Sequence, residues 1–490
     1  MKKHRHILFV FCDQLRYDCI GAFGNPYIQT PAFDSIANEA VCFNRCYTPS
    51  PVCVPARLSL LSGQYPARTG NSNNNPKLMY QGEGFYSTLT KAGYKSCCVG
   101  KMHHVWDRYG SLGFNERHTQ EELSHPDDDY TKFIKDGPYS YVFDYNGQRT
   151  EMYYVPQVSQ LPAEAHPTQW VGDRSVEFIE NCDPESEDIF LMSSFIHPHP
   201  PFCPPAPWNK LYRGYDMIPP YEPEGYNRDD IAPMMAKSFE VNRLGVSRLD
   251  ALRLRNFYYA CVSFVDYQVG RIIEALKKKG MYEDTLIVVS SDHGEMLGDY
   301  QNFGKRCMLS PAARVPFFIK APGLEHCERD DVVSLIDVAP TLLSMSGIEY
   351  DTTEFDGIDL FAKDREDREL VYSQYNTGKK GAYMVASNTD KLVWVASVDT
   401  YYYYKGIPEQ LNEYDENDAR CKYLREKLQA YVASDTGVNS PVVGKSVRKA
   451  GPKDFPFGVS RLDHVMRHDE EMARIPSPYK VDLEIVHNED

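Results

Sequence analysis

The chain has 490 residues, a formal net charge of -16, and a composition that is 42% hydrophobic and 25% charged. That length fits one large α/β unit with one or two smaller pieces. The acidic balance argues against nucleic acid or an anionic membrane surface as a partner, yet leaves room for a small anionic substrate in a local basic pocket.

The amino terminus pairs the basic "MKKHRH" with the apolar "ILFVFC". The apolar run stops at Asp13 and no small-residue cleavage site follows, so the segment reads as a buried first strand rather than a secretory signal. No later stretch is long enough to cross a bilayer. Thirteen cysteines without regular spacing read as reduced thiols rather than a disulfide framework. The expected location is cytoplasmic.

Apolar strands followed by polar loops and helical stretches set the rhythm of a doubly wound α/β domain with a mostly parallel sheet. "HILFVFC" runs directly into Asp13 and Gln14, and "YKSCCVG" into Lys101 and His103. "DIFLMSSFI" leads to His197 and His199, and "TLIVVSS" to Asp292 and His293. Ligands of open α/β sheets sit beyond the carboxyl ends of the strands. Four strand ends that each deliver metal-binding or proton-carrying side chains are hard to explain by packing alone.

Between these strands "TPAFDSIANEA" and "LRLRNFYYACVSFVDYQVGRIIEALKKKG" are expected helices, the second stopped by a lysine cluster and Gly280. Residues 105–170 are polar and irregular and read as an insertion over the pocket. The catalytic unit is expected to span 1–365, with an α+β subdomain of antiparallel strands and one amphipathic helix at 366–435. The extension at 436–490 would wrap the body or a neighbouring subunit, which makes a homo-oligomer an expectation. Tyr401, Tyr402, Tyr403 and Tyr404 could face a sugar ring, although alternation along a strand would bury half of them regardless.

The segment "PVCVPARLSLLSGQYPARTG" carries the sharpest signal. Pro55 suits a first helical turn and Gly63 a carboxyl-terminal stop, so Cys53 sits where backbone N–H groups favour negative charge. Arg57 lies one turn on, on the same face. On these grounds alone Cys53 is a nucleophilic or merely buried cysteine.

The whole segment resembles the sulfatase signature, Cys-x-Pro-x-Arg followed by a Leu-x-x-Gly run. "VFCDQLRYD", "VGKMHH", "HPHPPF", "SSDHGEMLGD" and "FGKRCMLSPAARVPFFIKAPG" agree in order and spacing over roughly residues 5 to 350. The resemblance implies an alkaline-phosphatase-like fold and a sulfatase acting on a sulfate monoester of a small molecule or terminal sugar. It implies that a maturation enzyme oxidises Cys53 to formylglycine. Asp13, Gln14, Asp292, His293 and the modified Cys53 would hold one divalent cation, Ca²⁺ first, with Mn²⁺ or Mg²⁺ as competitors. Many relatives carry Asp at the position of Gln14 and Asn at that of His293, so this chain has one negative charge fewer and an added imidazole.

In the implied reaction one hydroxyl of the aldehyde hydrate attacks sulfur, and loss of the proton from the other expels sulfate. Lys101 and Lys305 would bind the sulfate oxygens, His103 would assist elimination, His199 would protonate the leaving alkoxide, and Arg57 would steady the hydrate. His104 and His197 are expected to be structural or supporting, Asn73 and Asn74 a polar turn, and Asp337 a helix cap. A phosphonate monoester or phosphodiester hydrolase with the same site is the nearest alternative. A non-catalytic binding protein on this fold would lack the cysteine, a metal ligand or a lysine, and none is missing.

Overall fold

The computed structural model describes residues 5–74, 80, 82–104, 107–149, 153–212, 217–227, 247–363, 365 and 368–435. The carboxyl-terminal extension at 436–490, and with it the expectation of a wrapping arm, lies outside the described residues.

An eight-stranded sheet has the spatial order β4-β3-β5-β1-β6-β7-β2-β8. Its strands are β1 (His6–Cys12), β2 (Val41–Tyr47), β3 (Lys95–Gly100), β4 (Glu116–Thr119), β5 (Ile189–Phe195), β6 (Thr285–Ser291), β7 (Phe317–Lys320) and β8 (Cys327–Ser334). All neighbours run parallel except β7, which is antiparallel to both β6 and β2. The mostly parallel α/β expectation holds.

Buried parallel strands must present an apolar side chain to each face, because crossover helices cover both. β1 does so by alternation: Leu8, Val10 and Cys12 enter one core, and Ile7, Phe9 and Phe11 the other. β6 repeats the pattern with Ile287 and Val289 against Leu286 and Val288. Helices α1 (Pro31–Ala37), α6 (Pro167–Glu180) and α7 (Arg248–Lys278) supply side chains to the first core. Helices α2 (Cys53–Ser62) and α4 (Phe85–Lys91) and the Val338–Met345 helix supply the second. Helix α7 opens with Ser247 accepting the N–H of Asp250 and stops at Gly280, whose φ is 70°.

A second, antiparallel sheet of β9 (Val371–Tyr375), β10 (Ala382–Ala386), β11 (Asp390–Val395) and β12 (Thr400–Lys405) has the order β12-β11-β10-β9. Tyr383, Val385 and Leu392 on one face pack under the Ala419–Ser434 helix through its Leu424 and Leu428. Met384, Val393, Tyr402 and Tyr404 on the other pack with Tyr300, Met308 and Leu309. Tyr402, Tyr403 and Tyr404 are therefore core residues, and Tyr401 stacks on Tyr414. The tyrosine run is absorbed by packing on both faces of its strand.

The described residues of segment 105–170 include regular elements that its composition does not announce. It contributes the edge strand β4, paired in parallel with β3, and helix α5 (Asp129–Asp136), capped by Asp128, which accepts the N–H of Thr131.

A candidate active site at four strand ends

The four adjacent strands β3, β5, β1 and β6 end level with one another. Cys12 pairs with Phe195 on one side and Ser291 on the other, and Gly100 pairs with Ser194. This register brings Asp13, Lys101, His199 and Asp292 to one rim. Gly100 has a φ of 100°, and a Cβ there would lie 1.9 Å from the Ser194 carbonyl oxygen, so the close approach of β3 to β5 requires glycine. Gln14 and His103 also adopt positive φ, 67° and 56°, which for non-glycine residues marks backbone turned to aim side chains.

The opening segment folds as a helix that begins at Cys53 itself, with Val52 in the extended cap position. Gly63 closes it at a φ of 65°. Asn74, expected as part of a polar turn, accepts the N–H of Val54 at 3.0 Å and so satisfies the helix start. Asn74→Ala should therefore lower stability by about 1 kcal/mol. Thermal unfolding checks this, and an unchanged melting temperature would remove the capping role.

The Cys53 sulfur lies 3.1 Å from Lys305 Nζ, 3.3 Å from His293 Nε2 and 3.8 Å from Asp13 Oδ1. Burial first, and the Asp13 carboxylate next, push its thiol up to about 11 against the pull of Lys305 and Lys101. The bare cysteine is a neutral thiol, not a thiolate nucleophile.

Arg57 explains how two carboxylates share this interior. Its Nε donates to Asp292 Oδ2 at 2.9 Å and its NH2 to Asp13 Oδ2 at 3.2 Å, while NH1 donates to the Lys101 carbonyl at 2.9 Å. The guanidinium thus bridges Asp13 and Asp292, the two carboxylates beside Cys53. Lys101 also donates to Asp13 Oδ2. Burial alone would raise the Asp13 carboxyl, but Lys101, His199, Lys305 and Arg57 hold it well below the ordinary carboxylate range.

The outer carboxylate oxygens are taken by Arg57, and the inner ones face His293. Its Nε2 lies 3.9 Å from Asp13 Oδ1 and 3.7 Å from Asp292 Oδ1. Ligating atoms of Asp13, Cys53, Asp292 and His293 fall within 4.8 Å of one another, all buried. His293 Nδ1 sits 3.0 Å from the Gly294 carbonyl, which fixes the proton there and turns the Nε2 lone pair toward the cluster. Burial pushes this imidazole down to about 4, so it is neutral. Two carboxylate oxygens and a neutral imidazole converging on one point fit a divalent cation. Gln14 stands at the rim: its Oε1 accepts Lys305 Nζ at 2.7 Å, and its Nε2 donates to the buried Glu295.

The remaining expected residues divide. His199 faces the pocket with Nε2, because its Nδ1 is 2.7 Å from the Pro200 carbonyl. His103 Nδ1 lies 3.7 Å from Glu122 Oε1. His197 belongs elsewhere, to a buried cluster with Thr168, His166 and Cys203. His104 is buried beside the site, its imidazole pushed down to about 3 by burial. Asp337 is a cap: its Oδ2 accepts the N–H of Ser334 at 2.8 Å, and Arg368 pairs with it. Asn73 donates to Asn376.

Several site residues escape the sequence reading. Glu122 and Arg149 enter from segment 105–170, and Tyr153 lies 3.5 Å from His199 Nε2. Glu295 accepts Gln14 and Tyr154. Only the "DHGE" run hinted at Glu295, since it sits three residues past Asp292.

None of the thirteen cysteines is in a disulfide, and Cys327 alone is exposed. Among the described residues no helix is long and apolar enough to cross a membrane.

Residues 5–348 match the profile of the sulfatase family. An arylsulfatase of Clostridium perfringens (strain 13 / Type A) is 28% identical over 457 residues, covering 86% of this chain and 93% of that protein. A choline-sulfatase of Rhizobium meliloti (strain 1021) is 28% identical over 452 residues, covering 88% and 84%. Among solved structures, a phosphonate monoester hydrolase from Silicibacter pomeroyi superposes with a TM-score of 0.74 at 25% identity, covering 88% of this chain and 96% of that one.

Proposed function

The chain belongs to the sulfatase family and is a sulfuric ester hydrolase, and from that premise we propose that it hydrolyses a sulfate monoester of a small molecule or terminal sugar at residue 53. The observation that carries this reading is the placement of Cys53 at the first turn of α2. There its sulfur meets Lys305, His293 and Asp13 at the meeting point of four strand ends.

Asp13, Asp292 and His293, with Gln14 and the modified residue 53, would hold a divalent cation. When bound, such an ion supplies Lewis acidity that makes a hydroxyl nucleophilic near neutral pH. Oxidation of Cys53 to formylglycine by a maturation enzyme would supply a hydrated aldehyde, whose second hydroxyl offers an exit that a serine ester lacks.

The chain's own side chains do the rest. Lys305, 3.1 Å from the Cys53 sulfur, is placed to hold an oxygen of the transferring sulfate, and Lys101 approaches from the β3 side. His199 would carry a proton to the leaving oxygen on Nε2, the ring nitrogen that faces Tyr153 and Glu122, because the Pro200 carbonyl occupies Nδ1. His103 is left for proton removal during elimination. Arg57 would hold Asp13 and Asp292 in orientation through its hydrogen bonds to both carboxylates.

The likeness in fold to a phosphonate monoester hydrolase supports a second reading with the same machinery on a phosphorus ester. Parallel assays of 4-nitrophenyl sulfate, sulfated monosaccharides and a phenylphosphonate monoester separate the two. A kcat/KM for a sulfate ester at least about tenfold above that for the phosphonate is expected. The reverse order would replace sulfatase by phosphonate hydrolase.

A further inference from the structure

The Glu122 carboxylate is enclosed by basic side chains beside Cys53. It is paired with Lys101, which is fully buried, and with Arg149 NH2 at 2.6 Å. His103 Nδ1 and His199 Nε2 both lie 3.7 Å from its Oε1. Ligating atoms of Glu122, His199 and Cys53 fall within 4.8 Å of one another. Two cations and two imidazoles thus converge on one carboxylate a few ångströms from the reacting position. This is the donor set that would hold the oxygens of a sulfate, and one group already fills it.

We infer that Glu122 is a resident anion of the sulfate pocket, which competes with the substrate's sulfate and is displaced when substrate binds. The inference rests on the proposed sulfatase reading and deepens it.

The local architecture suits a side chain that leaves while its backbone stays. Glu121, next in the chain, is buried and anchored: its carboxylate accepts the N–H groups of Met102 and His103, and its own N–H bonds Asp128. The Glu122 carbonyl is held by Asn146 at 3.1 Å. The Glu122 side chain is the partly exposed member, at 15%. Arg149 is also partly exposed, at 18%, and lies over the Tyr153 ring. Glu122 can therefore swing outward with Arg149 still as its partner, which leaves Lys101, His103 and His199 to the incoming anion. Charge is conserved in the exchange, since one anion replaces another beside Lys101.

A site closed by its own side chain shows a dissociation constant raised by the reciprocal of the open fraction. If Glu122 fills the pocket about nine-tenths of the time, its removal tightens anion binding about tenfold. The test uses the full-length matured enzyme, with Glu122→Gln and Glu122→Ala. The probe is inorganic sulfate, read as a competitive inhibitor of 4-nitrophenyl sulfate turnover and as a ligand that raises the melting temperature.

The expected result is an inhibition constant for sulfate about tenfold lower in the near-isosteric Gln variant, with a matching drop in KM and a larger sulfate-induced shift in melting temperature. Sulfate affinity unchanged or weakened in both variants would overturn the inference and make Glu122 a residue that orients Lys101. If the wild type turns over no sulfate ester, the functional reading fails by itself. The sulfate-dependent melting shift then still decides the role of Glu122, and the Gln variant covers the case in which Ala does not fold.

Discussion

Cys53→Ala abolishes turnover, by at least about 10⁴-fold, while the protein keeps its fold. The magnitude follows from removing the group on which the proposed chemistry is built, for which no neighbour can substitute. Retention of the fold follows from the contacts. Lys305 keeps Gln14 Oε1 at 2.7 Å, and His293 keeps the Gly294 carbonyl at 3.0 Å. The thiol is pushed up to about 11 by burial and Asp13, so it carries no charge whose loss would unbalance the interior. The vacated space is one sulfur atom, worth about 1 kcal/mol. Steady-state kinetics beside thermal unfolding check both halves, and turnover near the wild-type level would put the chemistry elsewhere.

Asp13→Asn has the second largest effect, and it strikes activity and stability together. Arg57 and Lys101 both rest on Asp13 Oδ2, and all three side chains are almost fully buried. Removing one partner from such a buried cluster leaves Arg57 with Asp292 alone and Lys101 with Glu122 alone, and costs about 3–5 kcal/mol. The same substitution takes a charged oxygen from the point where Asp292 Oδ1 and His293 Nε2 converge. Affinity for a divalent cation should fall at least about 100-fold, read by metal content after dialysis and by titration.

The pH dependence carries a sign. The Asp13 carboxyl is held well below the ordinary range, burial being outweighed by Lys101, His199, Lys305 and Arg57. Its stabilisation is therefore present above about pH 4, the unfolded value, and is lost as pH falls through the folded one. The Asn variant should show a flatter acid limb in melting temperature against pH. An acid limb identical to the wild type would mean that Asp13 does not hold this cluster.

The parts of the site that could be read from sequence are those the chain writes locally. β1, β3, β5 and β6 announce themselves as apolar runs that stop at chemistry-bearing residues. Their parallel register then turns a list of strand ends into one rim. Helix α2 was legible because proline, arginine and glycine each hold a position set by helix geometry. β2 and β8 were missed for an equally physical reason. β2 has a register shift between Phe43 and Arg45, and β8, "CERDDVVS", is an edge strand with charged residues in its first half. Neither keeps a clean alternation. β7 has only four residues.

Glu122, Arg149 and Tyr153 come from a segment whose composition is polar throughout, so nothing local separates a pocket residue from a solvated one. The significance of Glu122 arises only when β4 docks beside β3, which carries Glu121 onto the Met102 and His103 N–H groups and Glu122 onto Lys101. Arg57 shows the converse. Its place in the signature was evident, but its bridging of Asp13 to Asp292 joins residues more than 200 positions apart and exists only in the folded chain.

Whether residue 53 acts as an aldehyde is decided by the mass of the tryptic peptide spanning residues 46–57, from protein made in its native host. That peptide also contains Cys46, which stays a thiol and serves as an internal control. One alkylated cysteine, Cys46, and formylglycine at position 53 are expected. Two alkylated cysteines in active protein would contradict it and require a different nucleophile.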